Sequence, residues 1–483
     1  MGDRNPGRRD ALGDRFPGGR RAYLRLVGAG LAGAVAGCPA PIDPGPTAPA
    51  IEYFARGVAL DGETALVGSG WNHEAEEVAR GHVFSREGRE WVDEAAIWVG
   101  TDMPSHHFEV RPALDGDTAL IGFGTTEHSQ LDGTRSAHVF SRDDGEWDQQ
   151  AELTADQGGS AFGASVALSG DTVMIGAPEH EGSDGDAAGA AHVFERGDGE
   201  WDRWTRLAPA ESDPTDSFGS AVAIDGDLAL VGDEFDGDSA GAAYAFSRTG
   251  GAWRGEAKLV PGDGDSFDRF GVSVALSGDT ALVGAYKDEH PNGRESGSAY
   301  VFSRNGDRWI RGAKLAAANG DSGDRFGTSV ALDGDLALVG APADGRSASD
   351  TATPTPASDT PTRITETGAT NGSDTTADGD ASPDNSFAED MREMREEIER
   401  ERSGAAYVFS RSGAGWIQEA TLAADGDDVD RFGTSVALRG ETALVGAPGG
   451  GGSAYVFVRR DGAWERQSRF RAGVRSTDVA IES

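Results

Sequence analysis

Apolar and polar positions over most of this chain alternate in short runs. Ser329-Val330-Ala331-Leu332 alternates bulky and small side chains, as does Ala337-Leu338-Val339-Gly340. A period of two predicts strands with one bulky face and one small face. Asp333-Gly334 lies between these runs, and Ser277-Gly278 holds the same place one repeat earlier. Such pairs suit two-residue hairpins, whose turn needs positive φ. A third run reads Ala-Tyr-Val-Phe-Ser-Arg at residues 299–304. A fourth opens on Trp, as at Trp147, and the period of two places Trp147, Gln149, Ala151 and Leu153 on one face. Asp144-Gly145 and Asn305-Gly306 supply the turn between the third and fourth runs.

This set of four strands recurs. The segment starting at Phe326-Gly327 has counterparts starting at Phe54, Phe108, Phe162, Phe218, Phe270 and Phe432. Starts lie 52–56 residues apart, except the last interval of 106, which is one repeat plus an insertion of about 56. Four strands per unit, seven times, predict an all-β fold: a seven-bladed β-propeller of four-stranded antiparallel blades over residues 51–483. A single blade cannot bury both its faces, so neighbours must cover them, and closing the ring removes exposed ends. The last strand, 464–470, is expected to pair with the first blade. Residues 477–481 look like the start of an eighth repeat and offer an extra closing strand.

Phe-Gly at the head and Gly-Ala-Pro after the second strand resemble FG-GAP repeats, the units of integrin α-subunit propellers and of many microbial surface proteins. Phe162-Gly163 with Gly176-Ala177-Pro178, Phe326-Gly327 with Gly340-Ala341-Pro342, and Phe432-Gly433 with Gly446-Ala447-Pro448 match fully. Phe270-Gly271 is followed by Gly284-Ala285-Tyr286, and Phe218-Gly219 by Gly232-Asp233. The first two heads, Phe54-Ala55 and Phe108-Glu109, are degenerate, with Gly68-Ser69 and Gly122-Phe123 after the second strand. The resemblance covers about residues 51–470 and implies the fold. It leaves function open, because function lives in sites grafted on folds.

Two segments stand apart from the repeats. Residues 1–37 are basic and contain Arg20-Arg21 before a short apolar run, 27–37. The run is too short to span a bilayer and reads as a signal-peptide core. The arginine pair resembles a twin-arginine export signal, and Val35-Ala36-Gly37-Cys38 resembles a lipobox that lipidates Cys38. Residues 38–50 are Pro-rich and read as a tether. Inside repeat six, residues 343–402 read as a disordered acidic insertion. It carries Asn371-Gly372-Ser373, a glycosylation sequon, and a short helix over 386–402 with Phe387, Met391, Met394 and Ile398 on one stripe.

Charge narrows the partners. The formal net charge is −39, which excludes a nucleic-acid surface. Lysine occurs only at 258, 287 and 314, against 40 arginines, and the acids spread along the whole chain. That pattern resembles proteins of extreme halophiles, whose carboxylates keep the surface solvated in concentrated salt. The lone cysteine excludes an internal disulfide and a cysteine zinc site.

The loop before Phe-Gly is acidic in three repeats: Asp263, Asp265 and Asp268; Asp321 and Asp324 beside Asn319; Asp425, Asp427 and Asp430. Hard cations take six to eight oxygens, so calcium is the candidate cofactor. Turn-capping within a halophile-like surface is the alternative, because the spacing is not the Asp-x-Asp-x-Asp-Gly of integrin-type loops. Asp184, Asp186, Asp233, Asp236 and Asp238 follow second strands and also fall short of that pattern. An Arg follows every third strand (Arg86, Arg142, Arg196, Arg248, Arg304, Arg411, Arg459) and reads as scaffold. His82, His138 and His192 replace the third-strand Tyr and read as core or edge residues. His73, His106, His107, His128, His180 and His290 lie in loops beside Glu74, Glu127, Glu181 and Glu289, where a metal or catalytic site would form if the loops share a rim. No catalytic-triad order, nucleophile elbow or His-Glu-x-x-His occurs.

The reading that results is an exported, lipid-anchored propeller on the outer face of the membrane, a non-catalytic binding or adhesion module for proteins or surface glycans. Two alternatives stand beside it. One is a hydrolase or lyase with its site in the central funnel. The other is a docking subunit of an envelope complex.

Overall fold

The computed structural model describes residues 54–482 apart from 71–77, 101–107, 126–135, 156–160, 181–187, 210–212, 214, 290–291, 346–402, 414, 425–430 and 473–478. The expected export signal, Cys38, the expected tether, Asn371 and the expected insertion helix lie outside the described residues. The described residues fall in one compact unit.

The described residues form seven antiparallel sheets, each a meander of four sequential strands as the period predicts, with a fifth strand added in the last. Blade 4 is typical: Ala221–Asp225, Leu228–Asp233, Ala242–Thr249 and Ala252–Leu259 pair in order. Second strands are buried along most of their length, because both their faces meet neighbouring blades. Seven apolar clusters result, each joining two adjacent blades. One of them packs Leu444 and Val456 of blade 7 on Val67 and Phe84 of blade 1.

Ring closure differs from expectation. The strand Ala463–Ala472 is the fourth strand of blade 7, with Phe470 opposite Ala454, and is not part of blade 1. Residues Val479–Glu482 pair along its outer edge as a fifth strand. The ring is closed by packing. Phe470 takes the place of the Leu found at this register in blades 2 to 6, and its ring stacks on Phe84 of blade 1 at 3.9 Å.

The Phe-Gly head is the joint between blades. Phe218 makes a parallel bridge to Gly189 of blade 3, and Phe270, Phe326 and Phe432 do the same one blade further on. Each head ring packs against the third-strand aromatic of its own blade, as Phe218 does on Tyr244 at 5.3 Å. The head carbonyl then accepts a hydrogen bond from a serine of the preceding blade: Ser165 Oγ to Gly219 O, Ser273 Oγ to Gly327 O and Ser329 Oγ to Gly433 O, all 2.8 Å. Blade 1 keeps this joint with Ala55, which adopts a φ of 63° and accepts from Ser435 Oγ at 3.0 Å. In blade 2 the ring packed on the third-strand histidine comes from the second strand: Phe123 lies 5.8 Å from His138.

The fourth strand breaks the period of two. A bulge opposite the third strand, between Val139 and Phe140 in blade 2, shifts the phase. Leu153 therefore faces blade 3 while Trp147 packs toward blade 1. The expectation that Trp147, Gln149, Ala151 and Leu153 share a face fails for this reason. The bulge also aims an acid outward. Glu94 receives hydrogen bonds from Arg142 and from Trp147 Nε1 of the next blade, and Glu256 from Arg304 and Trp309. The recurrent arginine thus lies over its own Trp, pairs with a hairpin Asp such as Asp117, and ties two blades together. Arg304 holds the Glu256 carboxyl down at about 2.

The joint predicts unequal costs for two glycines of blade 4. Gly219 has a φ of 97°, and a side chain there would run into the carbonyl of Ala190. Gly226, in the first hairpin, has a φ of 56° and open space around it. Gly219→Ala should cost about 4 kcal/mol or more, and Gly226→Ala about 1 kcal/mol. Denaturant unfolding of both variants checks this, and equal costs would contradict the joint.

His82 predicts a pH dependence. It is 2% exposed and lies 2.9 Å from Ser69 Oγ. Burial, with Arg80 adding to it, depresses its pKa to about 4, below its ordinary value of about 6.5. The stability from this neutral ring is intact above pH ~6.5 and is lost as pH falls toward 4, by about 2 kcal/mol at pH ~4.5. His82→Tyr should remove that part of the pH dependence. Unfolding curves of both proteins at pH 7 and 4.5 measure the difference.

Candidate functional site

The chain enters every blade on the side where the second strand ends. The loop before Phe-Gly and the loop after the second strand therefore share one rim. Local sequence shapes the first loop. The Asp that ends it turns back on the loop: Asp216 Oδ2 accepts from the Asp213 amide at 2.7 Å, Asp268 Oδ2 from Asp265 at 2.7 Å, and Asp324 Oδ2 from Asp321 at 2.6 Å. A second buried Asp comes from the other loop: Asp236, Asp288 and Asp344 in blades 4, 5 and 6. Each accepts from the hydroxyl of the third-strand Tyr of its blade: Tyr244, Tyr300 and Tyr407. Asp344 is thus a built part of blade 6, and the expected insertion begins after it.

Two of the three lysines sit at this place. Lys258 and Lys314 lie directly opposite Tyr244 and Tyr300 in the sheet, and each reaches 2.7 Å from the buried Asp. Blade 3 uses His180 instead, 2.9 Å from Arg206 and packed edge-on to His192. His82, His138 and His192 are buried, as core residues. The other loop histidines lie outside the described residues.

The predicted calcium residues are dispersed by these roles. Asp263 pairs with Arg311 and Lys314, Asp265 and Asp321 are exposed, and Asp268 and Asp324 cap their loops. Burial, with Asp288 nearby, raises the Asp268 carboxyl to about 6. Asp425, Asp427 and Asp430 lie outside the described residues.

Among the described residues, three acids converge in one place: Asp216, Asp233 and Asp236 of blade 4, with one carboxylate oxygen from each within 4.8 Å of the others. Asp233 ends the second strand, in the position that is Ala285 in blade 5 and Ala341 in blade 6. It is fully buried, and its Oδ1 accepts from the Ser217 amide at 2.8 Å and from Ser217 Oγ at 3.3 Å. Burial raises its carboxyl to about 7 despite the Ser217 amide, and the neighbouring carboxylates add to the rise. Burial also raises Asp216. The cluster borders a cleft of about 770 Å³ lined by Asp213, Thr215, Asp238, Ser239, Lys258 and Phe267, among others. Phe267 is 63% exposed at a φ of 75°, and Asp238 and Ser239 also have positive φ. Bulky residues rarely adopt that conformation.

Sequence reasoning placed Asp233, Asp236 and Asp238 after a second strand but did not join them to Asp216. The signal was a paired departure from the repeat: Asp for Ala at 233, and Ser217 where blades 5, 6 and 7 have Arg269, Arg325 and Arg431.

The fold defines a seven-bladed β-propeller. Five segments match the FG-GAP repeat, residues 147–194, 201–246, 253–302, 309–352 and 416–457, so these segments carry FG-GAP repeats. Each matched unit begins at the Trp strand of one blade and spans a head joint, and all but 309–352 end in the third strand of the next blade. A search of curated proteins finds no match. Among solved structures, the chain is similar to the periplasmic gluconolactonase PpgL of Pseudomonas aeruginosa (13% identity, TM-score 0.49, covering 86% of this chain and 98% of that one). It is also similar to Sqt1 from Chaetomium thermophilum (13%, 0.44, 86% and 82%) and to the β-propeller domain of the Trilobed protease from Pyrococcus furiosus (10%, 0.42, 86% and 98%). Similarity at this level carries no functional inference.

Proposed function

We propose that this propeller is exported, anchored through lipidated Cys38 to the outer face of the membrane, and binds proteins or surface glycans on its loop rim without catalysing a reaction. The observation that carries the reading is where the departures from the repeat fall. First strands read Ser-Val-Ala-Leu in blades 3, 5, 6 and 7, keep apolar variants of it elsewhere, and serve the scaffold. The acids that break the pattern gather on the blade 4 rim, beside a polar cleft with one exposed ring, Phe267. Carboxylates with an aromatic face suit polar, hydroxyl-rich or amide-rich groups, which stack and hydrogen-bond at once. The basic leader with Arg20-Arg21 before an apolar run and a single cysteine supports export and anchoring. The Lys-poor acidic composition supports a high-salt environment.

Two linked measurements in molar salt test this. Fractionation of cells should find the wild-type protein in the membrane and Cys38→Ser in the soluble exported fraction. The purified protein should bind envelope preparations saturably. Phe267→Ser should weaken that binding about tenfold, the scale of one lost aromatic contact. Protease or periodate treatment of the envelope tells protein from glycan. Equal binding by wild type and Phe267→Ser would remove the blade 4 rim from the function.

A further inference from the structure

We propose that Asp216, Asp233 and Asp236 form a calcium site on the rim of blade 4. Three buried carboxylates place oxygens within 4.8 Å of one another. Oxygens that surround calcium at 2.3–2.6 Å span up to about 5 Å, whereas those around magnesium span only about 4 Å. Calcium therefore accepts the full spread of this cluster.

The second observation is Asp233 itself. Its Oδ1 is committed to Ser217, and its Oδ2 is buried with no hydrogen-bond partner. A buried carboxylate oxygen without a partner costs stability. Here it belongs to a carboxylate that stands with those of Asp216 and Asp236, where a cation would satisfy it.

The molecule contains its own control. Blades 5 and 6 have the same loop acids, Asp268 with Asp288 and Asp324 with Asp344, but Ala at the third position. They also carry Arg269 and Arg325 where blade 4 has Ser217. Relative to blades 5 and 6, blade 4 lacks a cation and carries an added acid at one point, and both differences make the site more negative. Lys258 offsets part of that charge through Asp236 Oδ1 at 2.7 Å. Its side chain is 48% exposed on a flexible stem and is free to swing into the cleft as calcium enters. Water from the cleft completes the six to eight ligands that calcium takes.

Titration calorimetry of the full mature protein with calcium chloride in molar sodium chloride tests the site. One equivalent should bind with a Kd of about 10⁻⁴–10⁻³ M, the range of extracellular calcium modules. Asp233→Ala should abolish this binding. It restores the residue found in blades 5 and 6, so it should unfold in chelator no earlier than wild type. Asp233→Asn keeps the shape and should weaken binding at least tenfold. Absence of saturable binding by the wild type would overturn the proposal. So would retention of the one-equivalent site in Asp233→Ala, or equal saturation by magnesium chloride.

Discussion

The ring depends on a close approach between backbones at the Phe-Gly joint. In blades 2 to 7 a glycine near the end of the second strand lies against the carbonyl of the next blade's head, as Gly176 does against Gly219 and Gly446 against Ala55. No side chain fits between them. The small faces of the strands follow from this contact, because Ala and Gly let adjacent sheets converge on the axis. The large residues follow too. With the backbones so close, the head Phe fills the space under the third-strand Tyr or His, and an apolar cluster forms at each of the seven interfaces. The joint tolerates replacement if the contact survives. Ala55 keeps it at a φ of 63°, and Phe123 supplies the ring in blade 2.

At the outer edge the blades are held differently. The bulge in the fourth strand turns Glu94 or Glu256 toward the Arg and Trp of the next blade. Arginine fits this place because its planar fork stacks on the Trp while pairing with carboxylates on two sides. A chain with 40 arginines and three lysines uses arginine wherever a fork is needed. The lysines at 258 and 314 serve a different need. Each offers a compact charge to one buried Asp that already accepts a tyrosine hydroxyl.

Blade number and strand order were legible in the sequence because each blade repeats one alternating pattern with glycine turns at fixed places. Period two could not reveal the bulge, since an inserted residue leaves no mark in composition, and so it put Trp147 and Leu153 on one face. Closure was misread for a similar reason. Phe470 differs from the Leu of other blades in size alone, and its effect depends on Phe84, which is distant in sequence. The acid cluster was partly legible. Asp233 and Asp236 stand three positions apart, but Asp216 comes from another loop, and only the shared rim joins them. The Asp263 and Asp321 sets looked more regular because turn-capping repeats, and regularity marks scaffold more often than site.

Blade 4 is where the scaffold logic is broken, and the break has a direction. In blades 5 and 6 the rim position that reads Asp-Arg before Phe sets a cation beside the loop acid, and the Ala after the second strand keeps the interior neutral. In blade 4 the Arg becomes Ser217 and the Ala becomes Asp233, and Ser217 now bonds the new carboxylate. The two departures are coupled, because the Ser217 hydroxyl adds a side-chain donor to Asp233 beside the amide at that position. An isolated drift toward acidity would scatter over the surface, as the rest of the negative charge does. Here it is buried, held by a dedicated donor, and opens on a cleft whose lining includes Phe267, Asp238 and Ser239 in unfavourable backbone conformations. Strain, buried charge and a break in the repeat fall together, and that coincidence separates a site from ordinary acidic surface.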